Sequence, residues 1–130
     1  MSKNTIFICS SCAFSPQQKD YLGQRGGKHL STQLKELQAN WQYKDEFIIQ
    51  EVSCLSACNR PCTVAFAAPH KTTLMFGDLP PMTSPSSILQ FAEQYFTSKD
   101  GLIKRQDRPE ILQKGILARI PPLPHLKIVT

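Results

Sequence analysis

The segment Val52-Ser53-Cys54-Leu55-Ser56-Ala57-Cys58-Asn59-Arg60-Pro61-Cys62-Thr63-Val64-Ala65-Phe66 sets three cysteines at every fourth position between two apolar runs. Cysteine packs little better than Ala or Val, so clustering of this kind points to thiolates used as soft ligands or as redox groups. The other two cysteines, Cys9 and Cys12, form Cys-Ser-Ser-Cys directly after the apolar run at residues 5–8, and no cysteine lies outside the two groups.

Working outward, residues 4–9 and 47–52 are short β-branched and aromatic runs that read as buried strands, each ending at a cysteine group. Between them, residues 13–27 hold Pro16, Gly23, Gly26 and Gly27 among polar side chains and read as a long loop covering whatever the cysteines hold. Leu30, Leu34, Leu37 and Trp41 recur at helical spacing, which predicts a helix over residues 28–41 with that stripe in the core and His29 at the surface. Residues 63–68 and 73–77 read as a hairpin turning at Pro69-His70-Lys71-Thr72, with His70 exposed. Ser84 before Pro85 reads as an N-cap and first turn, opening a helix with Ile88, Ala92, Tyr95 and Phe96 inward and a stop at Asp100-Gly101. The order strand, helix, strand, strand, strand, helix makes an α/β domain over residues 1–100, whose first two strands are parallel and joined by a right-handed crossover.

Residues 101–130 form a basic extension. Lys104, Arg105, Arg108, Lys114, Arg119 and Lys127 against Asp107 and Glu110 give it +4 of the net +5. Ile111, Leu112 and Leu117 suit partial packing on the domain, whereas Ile120-Pro121-Pro122-Leu123-Pro124 predicts an irregular end in which His125 is exposed. The extension lacks the interleaved aromatics and glycines of an RNA-binding segment, so nucleic acid is not the expected partner.

With 130 residues, 41% hydrophobic and 19% charged, the chain has the composition of one globular domain plus a tail. No stretch has the ~18 apolar residues of a membrane span, and the N-terminal apolar run is too short for a signal peptide. The expectation is a cytoplasmic protein. In that reducing compartment five cysteines are metal or redox residues rather than a disulfide framework. The parallel first strands carry both cysteine groups to one sheet edge, where four thiolates suit either a zinc ion or an iron-sulfur cluster. Zinc ribbons separate their knuckles by roughly 15 to 20 residues; here 41 residues, a helix and a strand among them, lie between Cys12 and Cys54. The looser spacing suits two irons better than one zinc. A thioredoxin-type dithiol at Cys9 and Cys12 would need a helix starting at the cysteines, and the helical pattern begins some 15 residues later.

Cys54-Leu55-Ser56-Ala57-Cys58 followed by an apolar strand resembles the Cys-Leu-Gly-Ala-Cys segment of thioredoxin-like 2Fe-2S ferredoxins, a module also found in the small subunits of respiratory complex I and bidirectional hydrogenases. The resemblance covers residues 4–98 and implies a thioredoxin-like fold, electron transfer rather than enzymatic bond-making, and cluster ligation by Cys9, Cys12, Cys54 and Cys58. The stretch from Cys54 to Cys62 also resembles the Cys-Leu-x-x-Cys-x-Arg-Pro-Cys hallmark of small bacterial proteins described as predicted metal-binding. Two departures from the ferredoxins stand out. The spacing of Cys9 and Cys12 is narrower than usual, and Cys62 occupies a position that is normally proline, which leaves Cys62 as either a ligand or a spare thiol. Lys19, Arg25, Lys28 and Arg60 would form a cationic rim that suits an acidic patch on a redox partner, and a homodimer stays open.

Overall fold

The structure, a computed structural model, describes residues 4–55 and 62–123. Cys58, Arg60 and His125 lie outside them. A five-stranded sheet runs in the order β4-β1-β5-β6-β7, from β1 (Asn4–Cys9), β4 (Phe47–Val52), β5 (Cys62–Ala67), β6 (Thr73–Leu79) and β7 (Ile116–Ile120). Two helices, α1 (Gly26–Gln38) and α2 (Pro85–Thr97), complete the fold, with a small hairpin of β2 (Asp20–Tyr21) and β3 (Gln24–Arg25) outside the main sheet.

The alternation in β1, β5 and β6 sends Ile6, Ile8, Val64, Phe66, Leu74 and Phe76 to one face. There they form a single apolar cluster with Leu30 and Leu34 of α1 and with Ile88, Phe91, Ala92 and Tyr95 of α2. Both helices therefore share that face. Phe91 lies edge-on to Phe66 and Phe76, at centroid distances of 4.9 and 5.3 Å, and the buried Tyr95 hydroxyl donates to Thr72 O at 2.7 Å. At the far end of α2, Lys71 Nζ donates to the Tyr95 and Phe96 carbonyls at 2.7 and 3.0 Å, a cation on the negative helix terminus.

As expected from the sequence, β1 and β4 are parallel, with Cys9 level with Val52, and β5 and β6 form an antiparallel hairpin. The helix boundaries differ from expectation. α1 starts two residues earlier, at Gly26, and stops at Gln38. Leu37 is 43% exposed, while Trp41 reaches the core from a turn beyond the helix and donates its indole N–H to Glu93 at 2.7 Å. The stripe at 30, 34, 37 and 41 thus splits into helical and post-helical parts. Residues 13–27 contain the β2-β3 hairpin, whose two-residue turn puts Leu22 and Gly23 at φ 51° and 80°. Ser84 does not cap α2; its hydroxyl turns back to the Pro80 carbonyl, and Pro85 supplies the fixed first turn.

In the extension, residues 105–107 and 110–112 form short 3-10 turns that bury Leu112, and β7 then pairs antiparallel with β6 as a fifth strand. No helix among the described residues is long and apolar enough to cross a membrane.

Two contacts fix α1 on the sheet. At its start, Gly26 and Gly27 are buried against the first cysteine turn, and a Cβ on Gly27 would lie 1.9 Å from the Cys9 carbonyl oxygen. Midway, Glu51 of β4 accepts from Lys28 Nζ (3.0 Å), Ser31 Oγ (2.9 Å) and Lys35 Nζ (3.1 Å). The Lys28 hydrogen bond, against the opposing effect of burial and with help from Ser31 and Lys35, holds the Glu51 carboxyl at about 2.

Gly27→Ala is expected to cost about 2–3 kcal/mol in urea unfolding, because backbone must move to admit the methyl. Gly23→Ala, strained in φ but open in space, should cost about 1 kcal/mol. Glu51→Gln should cost about 1 kcal/mol at neutral pH, since both lysines are half exposed and screened. A depressed folded pKa stabilises above the unfolded carboxylate value of about 4.3. The gap between wild type and Glu51→Gln should therefore close as pH falls from about 4 toward about 2, which denaturation curves at stepped pH would measure.

Candidate metal centre

The parallel register of β1 and β4 carries both cysteine groups to one edge of the sheet. Ser10 N donates to Val52 O at 2.8 Å and Ser11 Oγ to Ser53 O at 2.7 Å, which ties the first cysteine turn to the segment leading into Cys54. Because β5 runs antiparallel to β1, with Ile8 level with Val64, its first residue Cys62 returns to this same edge. Cys9, Cys12 and Cys62 are fully buried there, and Cys54 is exposed at the rim. Four of the five cysteines thus stand at one edge of the sheet, and Cys58 falls outside the described residues.

Around the sulfurs stand donors of kinds that thiolates accept. Cys9 Sγ lies 3.5 Å from Ser11 Oγ. The single Ser11 hydroxyl proton is directed to Ser53 O, so a protonated Cys9 donates to Ser11, and rotation of that hydroxyl supports a Cys9 thiolate. Burial pushes the Cys9 thiol up, but the Ser11 hydroxyl, the Cys12 thiol and the backbone N–H groups of Leu55 and Ser11 outweigh it and leave the group below the usual thiol range. Cys12 is pushed up to about 12 by burial, opposed by the Thr63 hydroxyl and reinforced by the neighbouring Cys9. Cys62 is also pushed up to about 12, by burial first and then by negative charge on Cys12 and Cys9. These three sulfurs sense one another's charge.

The Thr63 hydroxyl is a second sign of the site. It is fully buried, lies beside the Cys12 thiol and has no nitrogen or oxygen partner, a costly arrangement unless a charged sulfur accepts from it. Above the same turn, the Gly27 N–H at the start of α1 donates to Cys12 O at 3.3 Å. The hairpin loops out and brings the helix N-terminus back onto the cysteines, so the sequence separation that argued against a helix start beside the thiols is bridged by the fold. That end of α1 favours negative charge.

Among the described residues, no three Cys, His, Asp or Glu side chains already surround a common metal position. The donor set nevertheless fits a soft cation or an iron-sulfur cluster: buried thiols from two segments, an orphaned hydroxyl and a backbone N–H converge on one edge. His29 and His70 stand apart from it. His29 Nε2 bonds Tyr21 O at 2.6 Å within an aromatic group with Phe14, and His70 occupies the hairpin turn at φ 66°. Of the expected cationic rim, Lys19 is exposed, Arg25 pairs with Asp20 (3.3 Å) and donates to Ser11 O (3.3 Å), and Lys28 is engaged by Glu51.

Sequence reading singled out the cysteines but missed Ser11, Thr63, the Leu55 N–H and the paired glycines. The paired glycines and the serines flanked by Cys9 and Cys12 were the available signals; Thr63 and Leu55 gave none, since their roles are tertiary.

Among solved structures, the chain is similar to a thioredoxin-like [2Fe-2S] ferredoxin from Aquifex aeolicus, with a TM-score of 0.56 and 14% identity over 94% of this chain and 96% of that one. At that identity the likeness establishes the thioredoxin-like fold. No curated protein matches the chain. Residues 6–122 match the family model described as "Protein of unknown function (DUF1636)", and the chain belongs to that family.

Proposed function

We propose that the protein is a ferredoxin-type electron carrier that holds a 2Fe-2S cluster through Cys9, Cys12, Cys54 and Cys58. The observation that carries the reading is the meeting of buried Cys9, Cys12 and Cys62 with the Cys54 segment at one edge of a thioredoxin-like sheet, beside the orphaned Thr63 hydroxyl. A bound cluster supplies one reversible electron through the iron valence. The chain's residues then tune it. Donation from Thr63, Ser11 and the Leu55 N–H to ligand sulfur favours the more negative, reduced state, and the sheet and α1 keep water from the inner thiols. No bond-making step is needed, so the reading is a carrier rather than an enzyme.

A second reading has its own support. The start of α1 against Cys9 and Cys12 is the placement that activates a redox dithiol, and the same thiols would also hold zinc. Purified anaerobically, the ferredoxin should be coloured, with about two irons and two acid-labile sulfides per chain as its cluster type requires. A colourless protein with one zinc, or with a reducible bond between Cys9 and Cys12, would establish the second reading instead.

Cys9→Ser and Cys54→Ser should lose the iron while far-ultraviolet circular dichroism stays near wild type, because the apolar core forms without the cluster. Cys62→Ser should keep a cluster with an altered paramagnetic resonance spectrum, whereas Cys58→Ser should lose it. Full iron in Cys54→Ser would overturn the ligand set.

The proposed partner is a redox protein with an acidic docking patch. Lys19 is exposed while Arg25 and Lys28 pair with Asp20 and Glu51, so Lys19 is, with Arg60, the cation chosen to test docking. The reduction rate should fall as salt rises from low to moderate concentration, and Lys19→Glu with Arg60→Glu should slow it further at low salt. A rate indifferent to both would remove this partner class.

A further inference from the structure

A cleft of about 430 Å³ opens between β7 and the 3-10 turns of the extension, lined by Lys104, Arg105, Arg108 and Arg119 with Ile103 and Ile116. Its size falls within the roughly 300–1,000 Å³ of small-molecule sites. Four cations face it, and among the described residues none of them forms an ion pair with a carboxylate.

Arg108 is the unusual member. It is only 8% exposed and lies over the Phe76 ring at 5.8 Å, with no carboxylate paired to it among the described residues. Two of its donors are satisfied: Nε by Ile103 O at 3.2 Å and Nη1 by Leu112 O at 3.0 Å. Arg108 also lines the cleft, and its remaining nitrogen is not among the buried side-chain atoms left without a partner, so the rest of the five-donor fork is not sealed in the core. Burial, and then the charges of Arg119 and Arg105, hold the guanidinium below its usual range. Burying an arginine beside two more arginines is unfavourable unless an anion completes the group.

We propose that this cleft binds a small organic phosphate. The paired N–H geometry of Arg105, Arg108 and Arg119 suits the oxygens of a phosphoryl group, Lys104 adds a point charge, and Ile103 with Ile116 forms an apolar wall for the organic part of the ligand. The cations gather around one cleft with an apolar wall, without the stacking aromatic side chains of a groove that tracks a nucleic-acid backbone.

Isothermal titration of the full-length holoprotein with pyrophosphate, at constant ionic strength set with chloride, tests this directly. Saturable binding at one site per chain is expected, weakened about tenfold or more in Arg105→Gln and in Arg119→Gln, each of which removes a charged hydrogen bond. Both side chains line the cleft outside the apolar core, so the variants should keep wild-type circular dichroism and cluster absorbance. Four results would overturn the proposal: heats no greater than the chloride control; undiminished binding in the double variant; tighter binding of citrate than of pyrophosphate; or preference for a single-stranded oligonucleotide over both.

Discussion

Hydrogen bonding of β1 to β4 in parallel, with Cys9 level with Val52, is the constraint on which the molecule depends. Parallel neighbours require a crossover, so the chain leaving Cys9 must form a helix on the sheet before β4 can start. Both strands then end at one edge, and the turns that follow them carry Cys9, Cys12 and Cys54 together. Antiparallel addition of β5 brings Cys62 to the same place. A one-residue slip in β1 would expose Ile6 and Ile8 and withdraw the cysteine turn, so the core pattern that stabilises the sheet also fixes the thiols.

The crossover explains the paired glycines. α1 must return its first turn to the edge where β1 ended, and the available gap admits no side chain at position 27. Glycine is a poor helix former, so this choice sacrifices local preference for proximity. The outcome is a helix N-terminus against the Cys12 carbonyl and a cysteine turn held from three sides: by α1, by the Val52–Ser53 segment and by Arg25.

What could be read from the sequence follows from how locally each feature is encoded. The four principal strands are short β-branched and aromatic runs and the helices carry apolar stripes, so their order and the parallel start were legible. Strands of two residues, such as Asp20–Tyr21 and Gln24–Arg25, have no period to detect. Leu37 satisfied the helical stripe yet lies exposed near the end of α1, because the core is closed there by Trp41 arriving from the following turn. β7 was obscured because an edge strand is half exposed and its burial does not alternate. In the candidate site the cysteines announced themselves by spacing, whereas the Thr63 hydroxyl and the Leu55 N–H acquire meaning only once β5 and the Cys54 segment meet the first turn.

The two unusual charge environments lie at different places along one sheet. Leu79 of β6 faces Cys62, whereas Leu74, five residues earlier, faces Arg119 of β7. At about 3.3 Å per residue Arg119 stands roughly 17 Å along the strands from Cys62, whereas Arg108, over Phe76, stands only three residues from Leu79, roughly 10 Å. Salt screens the exposed Arg105 and Arg119 from the sulfurs, but the buried Arg108 much less. Any coupling between the two would have to pass through β5 and β6, whose side chains between the sites, Val64, Phe66, Leu74 and Phe76, are packed core. A close-packed core transmits displacement but has no second arrangement to adopt at low cost. The packing accordingly favours weak conformational coupling, with the extension adding a fifth strand at the edge of the sheet opposite β4.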